Sequence, residues 1–284
     1  MSLESLGLRS DDLVIINEQL KEPNGMILTT GPTGSGKTTT LYVFLKAKRT
    51  PEIKIITIED PIEYHLEGIE QTGVDRKAGY DFPTALRSIL RQDPDVILVG
   101  EINDQETAQV GVRAALTGHL VFSTVHANNA PAAVPRLLDL GVKSESIGPA
   151  LNLIIAQRLV RRLCDYCKKE KAIPEDKNKE ILKFLRALPG RAVKPKPKQI
   201  KIYSAAGCEK CNGFGYKGRV GIFELFLVND DVEKAVLENP SEANLSKLAK
   251  GQGMVTVQQD GILKILGGIT TIEEVEAITG PLKW

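Results

Sequence analysis

The chain has 284 residues, 42% of them hydrophobic and 26% charged, the balance of a soluble globular protein of about two domains with no need of disulfides. Lys plus Arg (37) nearly cancel Asp plus Glu (36), and the formal charge of +1 excludes a global pull toward nucleic acid or anionic lipid, though not a local basic patch. No run approaches the ~20 apolar residues that cross a bilayer and no signal-peptide pattern opens the chain, so the cytoplasm is the expected compartment.

Residues 1–22 read as a short polar, helical lead-in, with Ser10, Asp11 or Asp12 available as the cap before Leu13-Val14-Ile15-Ile16. Met1-Ser2-Leu3 has the look of an appended start, which would make the chain a piece of a longer protein. The first core strand is predicted at Met26–Thr30. Ile53–Ile58, Val96–Val99 and Leu120–Thr124 are further buried strands, being short, largely β-branched runs. Helical patterns at Thr38–Lys48 and Pro83–Arg91 lie between them. This alternation predicts an α/β fold with a parallel sheet flanked by helices. Residues 168–201 are rich in Lys and Pro, ending in Lys194-Pro195-Lys196-Pro197-Lys198, and read as a surface excursion with one helix near Lys179–Ala187. Residues 229–284 read as a small helical appendage broken at Gly251–Gly253. The expected division is a core at 1–163, a cysteine-bearing subdomain at 164–224 and a helical subdomain at 225–284.

Gly31-Pro32-Thr33-Gly34-Ser35-Gly36-Lys37-Thr38 fits G-x-x-x-x-G-K-[ST], after a strand and before a helix. Its glycines let backbone N–H groups wrap phosphate oxygens, and the helix N-terminus adds its positive end. Lys37 is expected to reach the β- and γ-phosphates and the Thr38 hydroxyl to ligate Mg²⁺, with Thr39 beside it. This is a nucleoside triphosphate site.

Such a site needs one carboxylate for magnesium's water shell and one to orient the attacking water, and both belong at strand ends beside the loop. Two places qualify: Glu59-Asp60-Pro61 after the second strand and Gly100-Glu101 after the third. Glycine stands where a magnesium-linked Asp is common, so Glu101 serves alone or shares the work with Glu59. His119 and His126 flank the strand Leu120–Thr124. His126 is placed to sense the γ-phosphate and His119 to bridge to a neighbouring strand; a hydrogen-bonded structural role is the alternative for each. His65 reads as structural. Arg87 and Arg91 share a helix face, offering either charge neutralisation beside a nucleotide, in the same subunit or an adjacent one, or a plain solvated basic face.

All four cysteines form two knuckles, Cys164-Asp165-Tyr166-Cys167 and Cys208-Glu209-Lys210-Cys211. Two C-x₂-C turns suit tetrahedral Zn²⁺, whereas disulfides do not suit a cytosolic chain and a redox C-x-x-C needs no second pair. Metal-free thiols are the alternative. Four thiolates close the coordination sphere, so the zinc is read as structural, a staple between this insertion and the core.

Taken together, the motifs carry a resemblance. Thr57-Ile58-Glu59-Asp60-Pro61-Ile62-Glu63-Tyr64 resembles the Asp box of secretion and pilus ATPases. Leu86–Asp95 followed by Gly100-Glu101 resembles their arginine-bearing helix and Walker B segment, and Leu116–His119 through His126-Ala127-Asn128 resembles their His box. With the cysteines added, the chain resembles the GspE/PilB-type assembly ATPases of type II secretion and type IV pili rather than the pilus-retraction ATPases, which lack the cysteine domain. The likeness extends from about residue 5 to the end.

The resemblance implies a RecA-like P-loop core with a tetracysteine zinc-binding insertion and a small C-terminal helical subdomain. It implies homo-hexameric rings on the cytoplasmic face of the bacterial inner membrane, peripheral to the membrane through platform and docking proteins, with ATP powering pilus or pseudopilus polymerisation. It places the site at subunit interfaces, with Arg87 and Arg91 at the family's arginine positions and Glu101 at its Walker B glutamate. Asn103 departs from the pattern, standing where the family has Arg. The family's N-terminal domains are also missing, so weak hydrolysis and poor assembly are expected of this chain. Two other functions compete: a nucleic-acid-translocating ATPase, against which the neutral charge and lack of a basic, aromatic-interleaved run argue, and a nucleotide-binding scaffold without turnover.

Overall fold

In the computed structural model, residues 2–196 and 200–284 are described; Met1 and the Pro197-Lys198 end of the Lys/Pro run lie outside them. Nine strands are assigned among these residues: β1 (Gly25–Thr30), β2 (Ile55–Glu59), β3 (Glu70–Gly73), β4 (Val96–Val99), β5 (Leu120–Val125), β6 (Leu151–Leu163), β7 (Lys169–Lys171), β8 (Ile202–Ser204) and β9 (Tyr216–Leu227). Seven form one sheet in the order β3-β2-β4-β5-β1-β6-β9, and β7 pairs with β8. Every pairing from β3 to β6 is parallel, and β9 closes the edge antiparallel to β6.

Strands β1, β2, β4 and β5 are buried at every position. This is why they read as unbroken apolar runs: helices cover both faces of a parallel sheet. On one face, α1 (Ser10–Gln19) and α2 (Lys37–Lys48) pack Ile16, Leu41 and Phe44 against Ile27, Phe122 and Leu153. On the other lie α3 (Phe82–Leu90), α4 (Gln105–Leu116), α5 (Ala133–Asp139) and α6 (Ser144–Ala150). Asp81 caps α3 by accepting Thr84 N–H at 3.0 Å, and Phe82, Leu86 and Ile89 make its buried stripe.

The Lys/Pro-rich segment departs from the surface excursion expected of it. Its helix, α7 (Glu175–Ala187), starts four residues before the predicted Lys179, and Ile181, Phe184, Leu185 and Leu188 are buried. That i, i+3, i+4, i+7 stripe packs with Val160, Ile222, Ile262 and Ile265 into a third core. The C-terminal residues are helical, as α8 (Asp230–Glu238), α9 (Glu242–Gly251), α10 (Val257–Leu266) and α11 (Ile272–Thr279). The first pair joins the core under α6, the second the cysteine-side core. No described helix is long and apolar enough to cross a membrane.

Strand order places β1 between β5 and β6, with β4 and β2 beyond β5. The carboxyl ends of β1, β2, β4 and β5 therefore open side by side on one edge of the sheet. That edge is where open α/β sheets bind ligands.

Candidate active site

The phosphate loop leaves β1 at Thr30 and turns through three glycines with positive φ, Gly31 (150°), Gly34 (77°) and Gly36 (86°). At Gly31 the constraint is also one of space, since a Cβ there would lie 2.5 Å from the carbonyl oxygen of Gln157. Lys37 Nζ folds back over the loop, donating to Gly31 O at 2.9 Å and Pro32 O at 3.2 Å. Burial lowers its pKa, while the nearby Glu101 carboxylate pulls the other way. An ammonium held only by carbonyls can turn to phosphate oxygens at little cost.

In front of the loop lies a cleft of about 600 Å³. Thr33–Thr39 line it together with Glu59, Asp60, Gly100, Glu101 and His126. Gly31 and Pro32 face an adjoining hollow of about 420 Å³, which His126 also borders along with Arg136 and Arg158.

The two carboxylates differ in their surroundings. Glu59 is 3% exposed, and its oxygens accept from Tyr42 Oη, from Thr57 Oγ1 at 2.6 Å and from Gln71 Nε2 at 3.1 Å. It is a fixed carboxylate with one lone-pair direction left free. The Tyr42 hydroxyl, buried and bound to that carboxylate, is pushed up. Glu101 is partly exposed, with Oε2 4.0 Å from His126 Nε2. The glycine before it has a packing reason: Gly100 N–H donates to Ile58 O at 2.8 Å, and a Cβ at that position would lie 3.2 Å from the same oxygen. Thr124 Oγ1 holds Gly100 O at 3.0 Å, so β5 also fixes the approach to Glu101.

His126 leads a loop tied to β1, where Thr30 Oγ1 donates to Ala127 O and accepts Ala127 N–H, both at 2.8 Å. His119 lies away from the cleft. Its ring bonds Ala114 O at 3.1 Å, completing the end of α4 rather than bridging strands. His65 is exposed. Arg87 and Arg91 do not line the cleft of their own chain. Both are exposed on α3 or its end, and Arg87 pairs with Glu106. Arg219, on β9, does line the cleft; as one of two basic residues in a strand without motif spacing, it gave no sequence signal.

The four cysteines converge 44 residues apart in sequence. Their sulfurs all lie within 4.8 Å of one another, with Cys164–Cys208 at 3.9 Å, Cys167–Cys211 at 3.8 Å and Cys208–Cys211 at 3.7 Å. Tetrahedral zinc with sulfur at about 2.3 Å requires S···S separations of about 3.8 Å. The site fits the metal. Burial pushes the Cys167 and Cys211 thiols up; N–H donation from Cys208 and Gly215, both at 3.2 Å, and the neighbouring thiols bring Cys211 down to about 6. Burial and those neighbours leave Cys167 raised to about 12, so the two sulfurs hold their protons unequally before a metal displaces them. A thiolate is the form zinc takes.

The sequence model of the family described as Type II/IV secretion system protein matches residues 1–277. The chain belongs to that family. It is 43% identical over 279 residues to the type IV pilus assembly ATPase PilB of Pseudomonas aeruginosa, covering 98% of this chain and 48% of that protein. It is 45% identical over 279 residues to the type II secretion system protein E of Dickeya dadantii, covering 98% of this chain and 53% of that one. The chain thus spans about half the length of these relatives. Among solved structures, the pilus retraction motor PilT with bound ADP superposes with a TM-score of 0.70 at 29% identity, covering 98% of this chain and 67% of that one. The family is one of secretion and pilus ATPases, and this chain carries the mixed α/β core and the cysteine cluster described above.

Proposed function

We propose that this chain is the ATP-hydrolysing motor portion of a secretion or pilus assembly machine. The observation that carries this reading is the single cleft at the carboxyl edge of the sheet, where the phosphate loop, Glu59, Glu101 and His126 meet. Loop amides and Lys37 clamp the phosphates. The Thr38 hydroxyl, with one of the strand-end carboxylates, would hold Mg²⁺, which would offset phosphate charge. Water attacks the γ-phosphorus, the β–γ anhydride breaks, and ADP and phosphate leave. Glu101 orients that water together with Glu59, and His126 reads the γ-phosphate from the end of β5.

Arg87 and Arg91, exposed and away from their own cleft, serve a neighbouring copy in a homo-hexamer. The four cysteines would hold a structural zinc that ties the cysteine-bearing subdomain to β6 and β9. The motor acts at the cytoplasmic face of the inner membrane through platform and docking partners, powering polymerisation of a pilus or pseudopilus. A division of the chain at 163/164 belongs to the same proposal, whereas the boundary expected at 224/225 falls inside β9 (Tyr216–Leu227). The 43–45% identity to proteins named as pilus assembly and type II secretion components supports the client class.

Calorimetry with a magnesium–ATP analogue, combined with phosphate release, tests the reading. The chain takes up nucleotide and a Lys37→Ala chain does not. No uptake by the folded wild-type chain would sink the proposal.

A further inference from the structure

The phosphate loop rests on a strand far from it in sequence. Gln157 on β6 is 1% exposed, and its Nε2 donates to Ser35 O at 2.7 Å. Its own carbonyl oxygen lies directly under Gly31, and a Cβ on Gly36 would stand 3.2 Å from its Nε2. One residue thus touches the loop at its first glycine, its serine and its last glycine.

The grip on Ser35 O has a directional consequence. Ser35 C=O and Gly36 N–H belong to one planar trans peptide, so they point in opposite directions. Holding the carbonyl against β6 turns Gly36 N–H away from the strand, the sense in which a phosphate-binding amide must face. The amide orientation of Gln157 is itself determined, because the flipped form would set oxygen against oxygen.

The chemistry of this position argues for more than packing. Among the described residues Gln157 Oε1 is buried without a partner, a desolvation cost that an apolar side chain of equal length would avoid. What the amide supplies in return is the one donor to Ser35 O among the described residues. The next residue extends the link: Arg158 donates to Gln157 O at 2.9 Å and to Asn128 O at 2.8 Å, in the loop that follows His126.

We infer that Gln157 is a positioning residue for nucleotide: through Ser35 it aims Gly36 N–H at the bound phosphates. This rests on the reading of the cleft as an ATP site. Its effect falls on phosphate binding, for diphosphate and triphosphate alike, and not on attack at the γ-phosphorus.

Gln157→Met keeps length and removes the donor; Gln157→Glu keeps shape and sets a carboxylate oxygen against Ser35 O. Calorimetry with MgADP and with a non-hydrolysable ATP analogue is expected to give about tenfold weaker binding of both for Gln157→Met, and weaker still for Gln157→Glu. Turnover at saturating ATP stays within about twofold of wild type, a split between binding and rate that general loosening of the fold would not produce. If either folded variant binds both nucleotides as tightly as wild type, or if kcat falls while affinity holds, the role is overturned and the ATP site stands. If the wild-type chain binds neither nucleotide, the ATP-site reading itself fails, and this role with it.

Discussion

Glu101 and His126 face each other across the carboxyl ends of β4 and β5, with Oε2 and Nε2 4.0 Å apart. Neither is placed by its own neighbours alone. Gly100 anchors the first through Ile58 O and Thr124, and Thr30 anchors the second through Ala127. Glu101→Gln keeps the shape and removes the charge. Binding of an ATP analogue is expected to stay within a few-fold of wild type while phosphate release falls by about a hundredfold or more. His126→Ala also spares binding and costs about tenfold in rate. A Glu101→Gln chain with full turnover would take that carboxylate out of the reaction.

Glu59 offers a contrasting test, because three donors orient it. Glu59→Gln should retain nucleotide and lose turnover, as at Glu101. Tyr42→Phe removes one orienting hydroxyl, leaves the carboxylate in place and is expected to lower kcat by about threefold to tenfold with KM unchanged. Steady-state kinetics on the two variants checks the order; a Tyr42→Phe loss as large as that of Glu59→Gln would mean that the tyrosine, not the carboxylate, is the reacting partner.

The parts of this site that a sequence shows are those whose signal is local. The phosphate loop is a contiguous motif between a strand and a helix, and β4 was bounded at Val96–Val99 in sequence as in structure because both its faces are buried. Strands β6 and β9 were not legible as a pair. Beyond Ala156, β6 leaves the parallel core and pairs with β9 alone, so Arg158, Arg161 and Arg162 interrupt the apolar pattern that would mark a strand. Gln157 is hidden for the same reason: one polar residue in such a run has no spacing to mark it. The i, i+4 spacing of Arg87 and Arg91 does predict a shared face, but whose nucleotide that face meets depends on a second copy. Two of the three partners of Glu59, Tyr42 and Gln71, come from α2 and β3, contacts that only the tertiary fold creates.

The cysteine cluster should hold one zinc per chain. Metal quantification checks the count, and thermal unfolding with and without a strong chelator checks the role. Removing the metal, or replacing Cys164 and Cys208 by Ser, is expected to lower Tm on the order of 10 °C, because these sulfurs join β6 to the knuckle before β9. A zinc-free chain with unchanged Tm would leave the thiols without a structural task.

The arginines can be placed in or out of their own subunit by mixing. In the full-length protein, Arg91→Ala and Glu101→Gln are each expected to cut hydrolysis about a hundredfold. If Arg91 serves a neighbour, mixed rings contain some interfaces with both groups intact, and the mixture recovers part of the activity. A mixture as inactive as either parent would assign Arg91 to its own cleft.

A buried charge cluster gives the chain a pH dependence remote from the nucleotide. Arg9 binds Asp12 at 2.6 Å and Asp260 at 3.1 Å, and also pairs with Asp11; Lys264 binds Asp260 at 2.5 Å, and Arg191 stands 3.7 Å from Asp11 and Asp12. Asp12 is fully buried, with Oδ2 unpartnered among the described residues. Burial, with help from Asp260 and Asp11 and against Arg9 and Arg191, pushes its carboxyl up to about 7. Unfolded, it titrates near 3.8. Between these values the folded chain holds a proton that the unfolded chain has released. The stability Asp12 contributes is therefore full below about pH 4 and is lost as pH rises through about 7. Urea unfolding of wild type and Asp12→Asn across pH 5 to 8 isolates it: the free-energy difference should move against wild type with rising pH, by up to about 3 kcal/mol, and level off above about pH 7. A difference that stays constant over that range would mean that Asp12 is ionised throughout, held so by Arg9.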